Sequence, residues 1–189
     1  MIEIEQINEE VFYCREAIVR VGPDELAFLK DRATANRRQR ARLCAHGGVA
    51  DRLHEMIIVH AKSAYVRPHR HRDKSESFHM IAGVMQVVLM EDDGRVSEAI
   101  AMGRPGEGGT FYYRLNESIY HTVLPRTDWV VFHEVTNGPF RPSDTQAAPW
   151  APEIEDEQAA SKYLAQLEER IRGSSQAKGI MESTTRWNL

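Results

Sequence analysis

From residue 37 to 136, apolar side chains recur in short runs that show no helical period. The stretches Leu53–Ala64 and Phe78–Met90 are rich in β-branched and aromatic residues, as strands usually are. Turn signals separate such runs about every ten residues, and Asp93-Gly94 is one because this pair tolerates the positive φ of a tight turn. We therefore predict roughly eight or nine short strands in one small, mostly antiparallel β-barrel or jelly roll.

An N-terminal helix is predicted before this β region. Gly22–Glu25 begins it, because proline suits the first turn and acidic side chains favour the positive end of the helix dipole. Leu26, Leu29 and Ala33 form its buried stripe, and the helix is expected to end near Ala35. Upstream, apolar residues around a short edge strand are expected to be buried: Val11, Phe12, Ile18, Val19 and Val21.

A C-terminal helix is predicted over residues 153–172. Ala160, Leu164, Leu167 and Ile171 follow one another at helical spacing, which gives one apolar stripe for packing against the barrel or a partner subunit. The chain is thus divided into an N-terminal strand and helix extension (1–35), a β-barrel (36–152), and a C-terminal helix with a loosely ordered tail from residue 173 (153–189).

Composition excludes several classes of partner. The net charge of −4 gives no polycation that would seek nucleic acid, and no stretch approaches the roughly 18 apolar residues that span a bilayer. The N-terminus is acidic where a secretory signal would be basic. Cys14 and Cys44 show no paired spacing, so two reduced thiols are favoured over a disulfide. We expect a cytoplasmic protein.

Chemistry-bearing residues concentrate in the stretch from Pro68 to Gly83. His69 and His71 stand two apart, so on a strand both imidazoles project from the same face. Glu76, on the next turn or strand, can bring an oxygen to the same point. Two nitrogens and one oxygen are a three-ligand metal set that needs a further partner. The alternative is a polar turn on the rim of the barrel.

The fourth ligand is expected to be a later histidine on a neighbouring strand. His121 follows a turn and begins a β segment, which suits a ligand that approaches from the other side. The pattern H-x-H-x(4)-E-x(6)-G with a later His resembles the two motifs of the cupin superfamily. That resemblance implies that His69, His71, Glu76 and His121 bind one divalent metal inside a small β-barrel. Imidazole and carboxylate ligands suit Zn, Fe, Mn, Ni or Co.

A closer resemblance covers residues 36–152. Y-V-R-P-H-R-H, E-S-F-H-M-I-A-G, Y-H-T-V and E-V-T-N-G-P-F with A-P-W-A-P occur in that order. They are similar to segments of the WbuC-type cupin metalloproteins, which are encoded among bacterial O-antigen and surface-polysaccharide genes. The resemblance implies a sugar, sugar acid or nucleotide-sugar as the ligand, and a homodimer as a possible assembly.

Arginines upstream of the histidines suggest an anionic ligand. On a strand, Arg38, Arg40 and Arg42 would share one face, and Arg67 directly precedes the metal motif. Guanidinium groups bind carboxylate or phosphate bidentately, whereas the alternative is a solvated basic edge strand. The resemblance favours Arg38, Arg40 and Arg67 as ligand-binding residues.

Two further residues complete the predicted ligand-binding set. His46 follows the arginines within the segment of resemblance. His133 and Glu134 alternate along one strand, and we expect Glu134 to face inward and to orient groups at the metal. His79 lies out of phase with Glu76 on an extended chain, so we place it at the surface or behind the ligands.

The function that follows is metal-dependent chemistry on a small anionic ligand. A bound divalent metal can polarise a carbonyl or enediol, or acidify bound water. The leading hypothesis is an isomerase-like or epimerase-like enzyme of surface-polysaccharide metabolism. The alternatives are a non-catalytic metal-binding and sugar-binding module and an iron-dependent dioxygenase. Whether the protein is an enzyme stays open, because apart from Glu134, His46 and the tyrosines the sequence offers no strong acid or base.

Overall fold

A computed structural model describes residues 2–107 and 109–177, with side chains to residue 173. The described residues form twelve strands, two α-helices and a short 3-10 helix at Pro142–Asp144. The strands are β1 (Ile4–Gln6), β2 (Val11–Cys14), β3 (Arg40–Cys44), β4 (Leu53–Ala61), β5 (His69–His71), β6 (Glu76–Ala82), β7 (Met85–Met90), β8 (Val96–Met102), β9 (Tyr112–Leu115), β10 (Tyr120–Pro125), β11 (Trp129–Asn137) and β12 (Thr145–Ala147). The helices are α1 (Pro23–Ala35) and α2 (Glu157–Ala177).

The strands form two sheets that face one another. The larger sheet has the order β1-β2-β3-β4-β11-β6-β9, and the smaller has the order β12-β5-β10-β7-β8. All named pairs are antiparallel except β2 with β3. Apolar side chains from both inner faces share one core, among them Ile58, Phe78 and Phe132 of the larger sheet and Val87 and Val123 of the smaller. The predicted mainly β, jelly-roll fold is confirmed, as two packed sheets rather than a continuously bonded barrel.

The helix α1 covers the outer face of the larger sheet. Leu29 and Ala33 pack against Leu43 and Val59 of β3 and β4, and the helix has the predicted bounds. At its start, the Glu25 carboxylate accepts the backbone N–H groups of Gly22 and Ile2, which satisfies donors that helix starts leave free.

The expectation of burial upstream of α1 is only partly correct. Phe12 is fully buried, but Ile18 and Val21 are exposed. Both lie in the connection between β2 and α1, which pairs with no strand and in which only Val19 packs partly against the core beneath α1. The N-terminal strands themselves continue the larger sheet, because Val11 in β2 pairs with Arg42 in β3.

The helix α2 covers the outer face of the smaller sheet. Its predicted apolar stripe is buried at Ala160, Leu167 and Ile171 against residues of the smaller sheet. The helix begins four residues later than predicted, at Glu157, because the Asp156 carboxylate accepts the Ala159 N–H and caps this end. It also continues through residues 173–177, and the remainder of the predicted loose tail, 178–189, lies outside the described residues. No described helix is long and apolar enough to cross a membrane.

Candidate metal centre

Three histidines converge between the two sheets. β5 places His69 and His71 on one face, and β10 pairs His121 directly opposite His69. One ring nitrogen from each lies within 4.8 Å of the others. Glu76, at the start of β6 in the facing sheet, brings Oε1 to 2.8 Å from His121 Nε2 and Oε2 to 3.4 Å from His71 Nε2. The structure therefore brings together all four residues that were predicted to bind a metal.

Backbone contacts fix the orientation of these rings. His69 Nδ1 lies 2.9 Å from the carbonyl oxygen of Arg67, and His121 Nδ1 lies 2.9 Å from that of Ile119. Because a carbonyl can only accept, both Nδ1 atoms carry a proton, and in the neutral rings both Nε2 atoms are left with a free lone pair. His71 Nδ1 lies 3.1 Å from the Thr145 hydroxyl of β12. Such contacts are the usual means by which proteins orient metal-binding imidazoles.

The contact between Glu76 and His121 fits a cation. Glu76 Oε1 and His121 Nε2 are buried, lie 2.8 Å apart, and have no hydrogen-bond partner when both act as acceptors. Two lone pairs that face each other at this distance repel unless a proton or a cation attracts both. A proton would satisfy one such pair, whereas a divalent cation would satisfy the carboxylate and the three nitrogens together. The residues present therefore fit a divalent metal of the imidazole-binding class.

Burial and local charge set the protonation states here. Burial, with a smaller contribution from His121, lowers the pKa of His69 to about 3, so this imidazole is neutral at pH 7. Burial alone would raise the pKa of Glu76, but His121 and His71 outweigh it and hold that pKa well below its usual range. Burial by itself would lower the pKa of His121. The Glu76 carboxylate favours the charged imidazole more strongly, so the pKa of His121 is raised. The cluster thus offers an ionised carboxylate beside its imidazoles.

Glu134 faces the same interior, as predicted. It lies on β11, two residues from Thr136, which pairs with Glu76 in β6. Burial first, and then the charge of Glu76, raise the pKa of Glu134 to about 7. Its neighbour His133 faces outward, with Nε2 3.8 Å from a Glu55 carboxylate oxygen. A group with this pKa can either take or give a proton near neutral pH.

The other predicted ligand-binding residues have protein partners. Both Arg38 and Arg40 contact the Glu10 carboxylate. Arg67 forms an ion pair with Glu153. His46 stacks on His54, with ring centroids 4.1 Å apart. Their roles in ligand binding stay predictions.

Some residues at the site could not be identified from the sequence. Thr145 reaches His71 from a strand 74 residues later, and no motif marks it. Tyr113 belongs to the tyrosines that the sequence left open as an acid or base. Its hydroxyl is buried and has no partner among the described residues, and burial, with Glu76, raises the pKa of Tyr113. His79 is exposed beside Phe111, so the prediction that it stands apart from the metal ligands is consistent with the structure.

Comparison with protein families matches one segment of the chain. Residues 22–102 match a family described as a domain of unknown function, DUF6016, which covers less than half of the chain. No curated protein matches the chain significantly.

Two solved structures resemble parts of the chain. Protein SO0799 from Shewanella oneidensis is 10% identical, with a TM-score of 0.48 over 67% of this chain and 78% of that one. Oxalate decarboxylase from Bacillus subtilis is 18% identical, with a TM-score of 0.42 over 52% of this chain and 25% of that one. The chain thus spans about a quarter of the decarboxylase, in which Mn(II) centres have been studied. Likeness at these identities says nothing about chemistry.

Proposed function

We propose that this protein is a cupin-type metalloprotein that binds one divalent metal through His69, His71, Glu76 and His121. The observation that carries the proposal is the contact of 2.8 Å between two buried acceptors, Glu76 Oε1 and His121 Nε2. The fixed Nδ1 protons of His69 and His121 support it, because they leave the Nε2 lone pairs directed at a common point. Zn, Fe, Mn, Ni or Co suits this donor set.

The proposal extends to catalysis on a small anionic substrate. A divalent metal held here would supply Lewis acidity for a carbonyl, an enediol or a water molecule. Glu134 would move the proton, because its carboxyl group faces the interior and its pKa is about 7. This division of roles suits isomerase or epimerase chemistry. The resemblance to WbuC-type proteins supports a sugar-type substrate, with Arg38, Arg40, His46 and Arg67 among its contacts.

A non-catalytic metal-binding and sugar-binding module is the second candidate. It is favoured by one observation: Arg38, Arg40 and Arg67 are all held by carboxylates of the chain itself. The variant Glu134→Gln separates the two candidates once a ligand is found. An enzyme would lose turnover and keep its ligand affinity, whereas a binding module would show no turnover in either form.

The metal proposal is tested by elemental analysis of protein purified without added metal. We expect about one equivalent of a divalent metal in the wild type and a small fraction of that in the double variant His69→Ala, His71→Ala. His79→Ala, an exposed histidine on β6, is the matched control and should keep its metal. Equal metal in the double variant and the control would refute the proposal. Zinc as the sole metal, with no activity after iron loading, would exclude the iron-dependent dioxygenase.

A further inference from the structure

Three arginines lie just before and along β3, and two of them share one carboxylate. Glu10 Oε1 lies 3.1 Å from Arg38 Nη1, and Glu10 Oε2 lies 2.8 Å from Arg40 Nε. Arg42 lies two residues further along the same strand face and is exposed. Its backbone N–H donates to the Glu10 carbonyl oxygen, but its guanidinium group has no hydrogen-bond or ion-pair partner among the described residues. Arg38, Arg40 and Arg42 against Glu10 leave a surplus of two positive charges.

A buried imidazole lies among these guanidinium groups. His60 pairs across β3 and β4 with Arg40, packs edge-on against Phe132, and is only 6% exposed. Its Nδ1 has no hydrogen-bond partner, and neither has the buried Nε of Arg38. Buried polar nitrogens are rarely left unpaired in folded proteins, so these two atoms point to a missing partner.

The electrostatics of the cluster require an anion rather than a cation. Burial, followed by the charges of Arg40, Arg38 and Arg42, lowers the pKa of His60 to about 3 and keeps the ring neutral. Burial and the neighbouring Arg38 also lower the pKa of Arg40, although Glu10 opposes them. At Arg40 the Glu10 carboxylate therefore does not fully offset burial and the neighbouring positive charge.

Arg40 and Arg42 lie on the face of the larger sheet that also carries Glu134 and Glu76. Arg42 pairs with Ile58, whose side chain belongs to the core between the sheets. The charges of Arg42 and Arg40 act on Glu134, which is also affected by Glu76 and His121. Both clusters therefore act on one common group, the Glu134 carboxyl.

We propose that Arg42, His60 and Arg38 form an oxyanion-binding site that holds the carboxylate or phosphate group of the ligand. Glu10 contacts the guanidinium groups of Arg38 and Arg40 and therefore competes with that group. This inference rests on the proposed function, since it assigns the anionic end of the substrate. It differs from the predicted contacts in two ways: Arg42 and His60 become binding residues, and Glu10 becomes a competitor within the chain.

The site can be tested on the full chain without knowledge of the substrate. Metal is removed with a chelator, the chelator is removed by dialysis, and thermal unfolding is followed with inorganic phosphate, malonate, or chloride at matched ionic strength. We expect phosphate, malonate or both to raise Tm above the chloride control, and the anion that does so identifies the group that the site accepts. Arg42→Gln should weaken the apparent affinity about tenfold or more, since a hydrogen bond to a charged group is lost.

Two further variants make the result specific. Arg104→Gln removes another exposed arginine, which pairs with Glu107 on a distant loop, and should leave anion affinity unchanged. Glu10→Gln removes the competing carboxylate and should strengthen anion binding several-fold, because the positive surplus grows. The inference is overturned if neither anion exceeds chloride, if Arg42→Gln behaves like Arg104→Gln, or if Glu10→Gln weakens binding.

Metal content separates this inference from the proposed function. Arg42→Gln should keep the metal of the wild type, because its side chain lies outside the four predicted ligands. If the wild type contained no divalent metal as purified and took up none on titration, yet bound anions in a way that depends on Arg42, the proposed metal function would be refuted and the oxyanion site would stand. A wild type that contains metal but shows no anion binding would refute the oxyanion site and leave the proposed metal function standing.

Discussion

The metal cluster and the arginine cluster lack partners of opposite charge. At the metal cluster, buried acceptors face one another: the Nε2 atoms of the histidines and an oxygen of Glu76. At the arginine cluster, guanidinium groups exceed the one carboxylate among them, and His60 Nδ1 is buried without a partner. One cluster is therefore prepared for a cation, and the other for an anion.

The two clusters also differ in how they are held. The rings of His69 and His121 are fixed by backbone carbonyls two residues upstream, just before their strands begin. The guanidinium groups of Arg38 and Arg40 are held by Glu10, a side chain from outside β3. Backbone contacts are hard to displace, whereas one carboxylate can be exchanged for another. We therefore expect the metal cluster to be rigid and the arginine cluster to adjust to its ligand.

The largest expected effect is the loss of metal-dependent stability in His69→Ala, His71→Ala. A divalent metal at 100 times its dissociation constant stabilises the folded state by about 2.7 kcal/mol, which for a domain of this size raises Tm by roughly 5–10 °C. Metal-free wild type should gain this on titration, and the double variant should not. A similar gain in both proteins would show that the metal binds elsewhere.

The second prediction concerns pH and the arginine cluster. The folded-state pKa of His60 is about 3, below its ordinary value of 6.5, so the unfolded chain binds the proton more readily. His60 thus contributes stability that is complete above pH 6.5 and is lost as pH falls toward 3. Between pH 7 and 5 the loss is about 2 kcal/mol.

The variant His60→Leu isolates this contribution. Urea unfolding of metal-free protein at pH 7 and pH 5 should show a smaller decrease in the free energy of unfolding for His60→Leu than for the wild type. The other buried histidines still titrate in both proteins, so only the difference between the two decreases is diagnostic. Equal decreases would mean that His60 is not held neutral by its surroundings.

The smallest of these effects is expected for Thr145→Val, which removes the hydroxyl beside His71 Nδ1 and keeps the shape of the side chain. Loss of a group that orients a metal-binding imidazole weakens metal affinity by about tenfold or more. Thr34→Val on α1 removes a hydroxyl that bonds only within its helix and should leave the affinity unchanged. Calorimetric titration with Zn²⁺ measures both variants. Equal affinities in the two would mean that Thr145 does not position the ring.

Sequence and structure agree best where information is local. His69 and His71 follow from the period of a strand, and Pro23 and Glu25 mark the start of α1 where the structure has it. His121 could be predicted only from the resemblance to the cupin motifs, because its position opposite His69 depends on the pairing of β5 with β10.

Contacts between distant segments could not be predicted. Thr145 reaches His71, and Glu10 reaches Arg38 and Arg40, only because of strand order and register. No local pattern carries that information. The lack of a partner for the Arg42 guanidinium could not be predicted either, since a basic strand has the same sequence whether its arginines are paired or not.

Anomalous diffraction from crystals of the metal-loaded protein would test directly whether a divalent metal binds to His69, His71, Glu76 and His121. We expect one strong metal peak within bonding distance of Nε2 of His69, His71 and His121 and of an oxygen of Glu76, with metal–nitrogen distances of about 2.0–2.2 Å. Ligation through Nδ1, a peak away from these residues, or no peak at this position would contradict it.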